Sequence, residues 1–85
     1  MSEQSVQKWE YLTLESTSNY GTVKYIVNGE QQTTIKNFPL FQVINQIGSQ
    51  GWEMVGIAAV GEQRTYVFKR ATDKAYVQPA KKPTA

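Results

Sequence analysis

The sequence predicts a small α+β domain, an antiparallel sheet of about five strands in the order β-β-β-α-β-β with one helix on one face. Three observations carry this expectation. Leu40, Val43, Ile44 and Ile47 fall at i, i+3, i+4 and i+7, the spacing of a single helical stripe. Asn28-Gly29, between two short strand-like runs, is a strong hairpin signal because a type I′ turn needs φ > 0 at both central residues. The run Gly48-Ser49-Gln50-Gly51-Trp52-Glu53 then joins the end of that helix to a strand. A glycine there takes φ > 0 without a Cβ clash and reverses the chain.

The elements follow in order. Lys8 to Ser16 reads as a first strand, with Trp9, Tyr11 and Thr13 on one side and Leu12 and Leu14 on the other. Thr17 to Gly21 is a loop, Thr22 to Val27 a second strand and Glu30 to Ile35 its return, with Ile26 opposite Gln31 and Val23 opposite Thr34. The polar Gln31-Gln32-Thr33-Thr34 run suits a solvated edge. Pro39 starts a helix to Ile47, its fixed φ matching the first turn, with Asn37 as a capping residue. Trp52 to Val60 and Thr65 to Arg70 form a second hairpin. With Glu62-Gln63 at its centre, Ile57 lies opposite Phe68, Ala59 opposite Tyr66 and Val55 opposite Arg70 on one face. Trp52, Met54, Ala58, Val60 and Val67 take the other.

Composition excludes more than it identifies. The chain of 85 residues has no cysteine and no histidine. Disulfides, thiolate or imidazole metal ligands, Ser-His and Cys-His nucleophilic pairs and the usual neutral-pH proton shuttle are therefore ruled out. The six glutamates are scattered over different strands and turns, so no acid–base pair emerges. No catalytic, cofactor or metal site is expected. No apolar run approaches the ~20 residues of a membrane span, and the polar Met-Ser-Glu-Gln-Ser start does not resemble a signal peptide, so the cytoplasm is the expected compartment. The net charge of +2 resolves into a balanced body, residues 1–70, and a Lys/Pro/Ala-rich tail, residues 71–85, carrying Lys74, Lys81 and Lys82 against Asp73. Residues 1–7 are expected to be flexible and residues 71–85 disordered, with Ala75-Tyr76-Val77 the part able to lie along the sheet.

Trp9-Glu10-Tyr11, the run from Ile44 through Gly48 and Gly51 to Trp52-Glu53-Met54-Val55, and the closing Tyr66-Val67-Phe68-Lys69-Arg70 resemble a family of small bacterial and phage domains. This is the domain-of-unknown-function family numbered forty-one seventy-seven, with its L-N-x-x-G-x-x-G-W-E-L-V and Y-x-F-K-R signature. The similarity spans most of Lys8 to Arg70, with Gly48, Gly51, Trp52, Glu53, Lys69 and Arg70 as its structural signature. Departures are the Asn28-Gly29 hairpin, Ile44 and Met54 where leucine is usual, and the tail. The resemblance implies a small α+β architecture and supplies no activity.

The functional expectation is a non-catalytic protein-interaction or regulatory module that self-associates. One helix covers one sheet face, while both faces carry apolar side chains, so a second copy or another protein partner covers the rest, with Trp52, Met54 and Val67 as interface candidates. Trp52-Glu53 resembles a ring-binding site, but the simpler role is a core plug with Glu53 pairing to Arg70. The alternative function is nucleic-acid binding by Tyr20, Tyr25 and Tyr66 with Lys24, Lys69, Arg70 and the basic tail. The neutral body weighs against it. Gly48 and Gly51 follow a helix C-terminus, the wrong end for holding phosphate.

Overall fold

The structure, a computed structural model, describes residues 6–76. Its five strands are β1 (Lys8–Asn19), β2 (Thr22–Val27), β3 (Glu30–Gln32), β4 (Glu53–Val60) and β5 (Gln63–Thr72), with a single helix, α1 (Leu40–Gly48), between β3 and β4. They form one antiparallel sheet in the order β3-β2-β1-β5-β4. The expected α+β architecture is the one observed. The longest strand lies at the centre, where it pairs with β2 through Leu14–Asn19 and with β5 through Lys8–Thr17.

Asn28 (φ 51) and Gly29 (φ 84) both sit in the left-handed region, and Ile26 faces Gln31 as that turn requires. β1 runs past Ser16 because Tyr20 (φ 51) and Gly21 (φ 78) make a second tight turn, which lets Ser16–Asn19 pair with β2. Two other local expectations are corrected. β3 ends at Gln32, so Thr34 does not pair with Val23. Asn37 takes that place instead: its N–H donates to the Val23 carbonyl at 2.9 Å and its Oδ1 accepts from the Val23 N–H at 2.8 Å. Asn37 therefore caps the β2 edge and not the helix, whose N-cap is Pro39 (φ −60, ψ 142) without a side-chain cap. Of the two glycines after the stripe, Gly48 stays helical and Gly51 (φ 94) makes the reversal.

The second hairpin also differs in register. Its turn is Gly61-Glu62, so Val60 faces Gln63 and Ile57 faces Tyr66, and further along a bulge lies between Met54 and Gly56. The extra residue switches the alternation, so Met54, opposite Phe68, and Ile57, opposite Tyr66, share the helix side. The expected division into a Val55, Ile57, Phe68 face and a Trp52, Met54, Val67 face is thus broken. Trp52 and Met54 pack against the core, and only Val67 of that trio points away from the helix.

The core is Leu12 and Leu14 from β1, Tyr25 from β2, Tyr66 and Phe68 from β5, and Val43 and Ile47 from α1. The helix is fastened at both ends. At its start the Tyr25 hydroxyl donates to the Phe38 carbonyl at 2.6 Å, and at its end Arg70 Nη1 donates to the Gln50 carbonyl at 2.9 Å. It therefore crosses the sheet from β2 to β5. Ile57, on the outer strand β4, stays 63% exposed despite facing the helix side. β5 extends through Ala71 and Thr72, so the tail expected from residue 71 begins later, and residues 77–85 and 1–5 lie outside the described residues.

Burial raises the Tyr25 hydroxyl above the ordinary tyrosine pKa of 10.0, and Tyr66 adds to the rise. Its neutral form is favoured by folding, so this contribution is complete below the unfolded tyrosine pKa and disappears as pH climbs through the raised folded value. Tyr25→Phe should lower stability at neutral pH by about 1 kcal/mol, the worth of a typical hydrogen bond, and make the alkaline loss of stability shallower. Urea melts of both proteins from neutral pH to beyond the tyrosine range check this; parallel curves would refute it.

Candidate functional site

Trp9-Glu10-Tyr11, the helix stop with Trp52, and Lys69-Arg70 meet at the end of the sheet where β1 begins and β5 finishes. Glu10 lies directly opposite Arg70 on the helix side; Arg70 Nε donates to Glu10 Oε2 at 2.8 Å, and Nη2 makes an ion pair with the same oxygen at 2.8 Å. The guanidinium carbon also stands 4.2 Å above the Trp52 ring, and the third donor reaches Gln50. A planar fork is needed for this: an ammonium could not hold a carboxylate, a carbonyl and an indole face together. Gly51 admits the stem, since a Cβ there would lie 3.4 Å from Arg70 Cδ. The arrangement locks the helix C-terminus to the sheet. With both side chains 37% exposed, the ion pair is worth about 1 kcal/mol or less after solvent screening.

Glu53 was expected to pair with Arg70. The register places it directly across from Lys69, on the opposite face from Arg70, whose carboxylate partner comes from β1 instead. Lys69 in turn places Nζ 4.2 Å from the Trp9 centroid. One end of the sheet thus holds a cation over an indole on each side, Arg70 with Trp52 under the helix and Lys69 with Trp9 on the bare face.

That bare face is the candidate functional surface. Trp9 is 45% and Tyr11 60% exposed, side by side with Lys69. Val67 and Ala58 extend the surface, Val60 is 80% exposed, and Val55 in the bulge is 47% exposed. Its charges balance: Glu15 and Glu53 stand against Lys24 and Lys69. The stacking platform imagined for nucleic acid is not assembled, because Tyr25 and Tyr66 are core residues and Tyr20 stands alone at a turn. Among the described residues there is no group of three or more acidic side chains able to hold a metal ion, and no helix long and apolar enough to cross a membrane. Comparison of the chain with family models, curated proteins and solved structures finds no match.

Sequence reasoning placed Trp9 and Tyr11 on one side of β1 but did not single them out as a surface. Their alternation with Leu12 and Leu14 was the available signal. Glu10 as the Arg70 partner had no local signal, being sixty residues away in the chain.

Arg70→Lys should cost about 1–2 kcal/mol, since one ammonium replaces three directed donors. A double-mutant cycle with Glu10→Gln should leave a coupling of about 1 kcal/mol or less. Urea denaturation measures both, and an unchanged midpoint for Arg70→Lys would show that the clamp does not hold the helix.

Proposed function

We propose that this protein is a non-catalytic protein-interaction module that self-associates, with the Trp9–Tyr11–Lys69 end of the bare sheet face as its docking surface. The observation that carries this reading is the pair of large aromatic side chains left 45% and 60% exposed on the face that no described helix covers. Trp and Tyr are the residues that anchor protein interfaces, because each supplies a large contact area with few rotatable bonds. Lys69 holds Trp9 in place, so little ordering remains to be done on binding. A surface with equal numbers of acidic and basic side chains suits a protein partner better than a polyanion, which needs a surplus of cations. Chain composition supports the non-catalytic part, since the remaining side chains build surfaces more readily than an active site.

Sedimentation equilibrium over a wide concentration range tests the reading. The unmodified protein should associate reversibly, and Trp9→Ala should weaken that association at least about tenfold, the scale of an interface anchor, while the fold persists by circular dichroism. A monomer at every concentration would defeat self-association. A turnover abolished by changing a single glutamate would defeat the non-catalytic assignment.

A further inference from the structure

β1 is covered unequally along its two edges. β5 pairs with it from Lys8 to Thr17, but β2 begins only at Leu14. At Thr13 the Asn28 turn closes the ladder: the Asn28 N–H donates to the Thr13 carbonyl and the Thr13 N–H donates to Asn28 Oδ1, each at 2.9 Å. Backbone groups alternate in direction along an antiparallel strand, so Tyr11 and Trp9, two and four residues before Thr13, aim their N–H and C=O at the same edge. No described strand meets them there. A groove of about 630 Å³ runs beside this stretch, lined by residues 8–11 together with Thr72 and residues 74–76. Four consecutive residues whose side chains alternate between faces can line one groove only where it opens onto the strand's margin.

We propose that two copies of this chain pair edge to edge through the Val6–Leu12 stretch of β1, antiparallel about a two-fold axis at Trp9, joining two sheets into one. The proposal rests on the self-association read above and names its geometry. Exposed strand edges with unpaired amides are templates for another strand, and this one is long enough for specific pairing. Charge and apolar patterning then select a second copy of this chain as the occupant. With Trp9 opposite the partner's Trp9, the helix-side residues pair as Val6 with Leu12, Lys8 with Glu10, Glu10 with Lys8 and Leu12 with Val6. Every pair is complementary. Val6, 74% exposed in one copy, covers the margin of Leu12 in the other. Both Arg70 contacts, the Nε hydrogen bond and the Nη2 ion pair, fall on Glu10 Oε2, which leaves Oε1 to accept from Lys8 across the axis. Moving the axis to Glu10 would set Glu10 against Glu10 and Lys8 against Leu12, and moving it to Tyr11 would drive Trp9 toward the Asn28 turn. The chain's own residues 74–76 line the groove without forming a strand, and the stretch beyond them is a poorer occupant because Pro79 and Pro83 lack the N–H that a ladder needs.

Two variants at residue 11, compared by sedimentation, separate backbone pairing from side-chain contact. Proline is tolerated on an edge strand where its missing N–H faced outward, so Tyr11→Pro should remain folded by circular dichroism yet lose association by about a hundredfold or more. Tyr11→Thr keeps the N–H and loses only the ring of the docking surface, so it should associate about tenfold more weakly than the unmodified protein yet at least about tenfold more tightly than Tyr11→Pro. If both variants associate alike, whether unaffected or equally impaired, the edge geometry is wrong although the interaction module stands. If the unmodified protein never associates, both fall. Should Tyr11→Pro fail to fold, amide exchange on the unmodified protein decides. The Trp9 and Tyr11 amides should slow at least about tenfold as concentration rises into the associating range. Fast exchange at all concentrations would overturn the proposal, as would protection independent of concentration, which would mean that the edge is covered within one chain.

Discussion

A single nine-residue helix has to roof a five-stranded sheet, and most of the structure follows from that mismatch. At 1.5 Å per residue the helix is about 13 Å long. Five strands spaced by nearly 5 Å extend to about 19 Å across. The helix covers the middle of the sheet, where Leu14, Tyr25 and Phe68 are almost wholly buried, and leaves the outer strand β4 with Ile57 largely in solvent. A core of seven buried side chains cannot by itself fix the position of so short a roof. Two directed polar contacts, Tyr25 to Phe38 at one end and Arg70 to Gln50 at the other, do so.

The Arg70 end is the more heavily built. It brings together a carboxylate from the first strand, the carbonyl and glycine of the helix stop, an indole and the last strand, so segments sixty residues apart in the chain are held at one point. The same end carries Lys69 over Trp9 on the reverse side. Its exposed aromatics are therefore held on a rigid support, which distinguishes them from scattered surface residues such as Tyr20 at its turn or Phe41 on the outer side of the helix. The open half of β1 begins at this point too. Where β2 stops short, the central strand becomes an edge, and surface and edge lie within reach of one partner.

Much of this could be read along the chain, for identifiable reasons. Tight turns are local: Asn28-Gly29 set the register of the first hairpin because few other residue pairs accept two positive φ angles. The helix was legible from four apolar residues at helical spacing and from the Gly51 stop. The second hairpin was harder, since Gly61-Glu62-Gln63 permits more than one turn centre and a bulge leaves no distinct mark in Met54-Val55-Gly56. One inserted residue was enough to move Met54 from the supposed free face into the core. Asn37 is ambiguous in the sequence for a related reason: its side chain suits a helix cap or a strand edge equally, and the choice depends on how close Val23 comes.

By itself, then, the sequence determined the kind and order of the elements, two of the tight turns and the absence of thiol and imidazole chemistry, because these depend on side-chain type and on spacing over a few residues. Only the tertiary structure decided that β1 lies between β2 and β5, that Arg70 takes Glu10 and not Glu53, and that no described strand pairs with the free edge of β1 at Trp9 and Tyr11. Those outcomes depend on contacts between distant segments. A strand's alternation specifies which side chains share a face, but not which neighbour covers that face or where that neighbour ends.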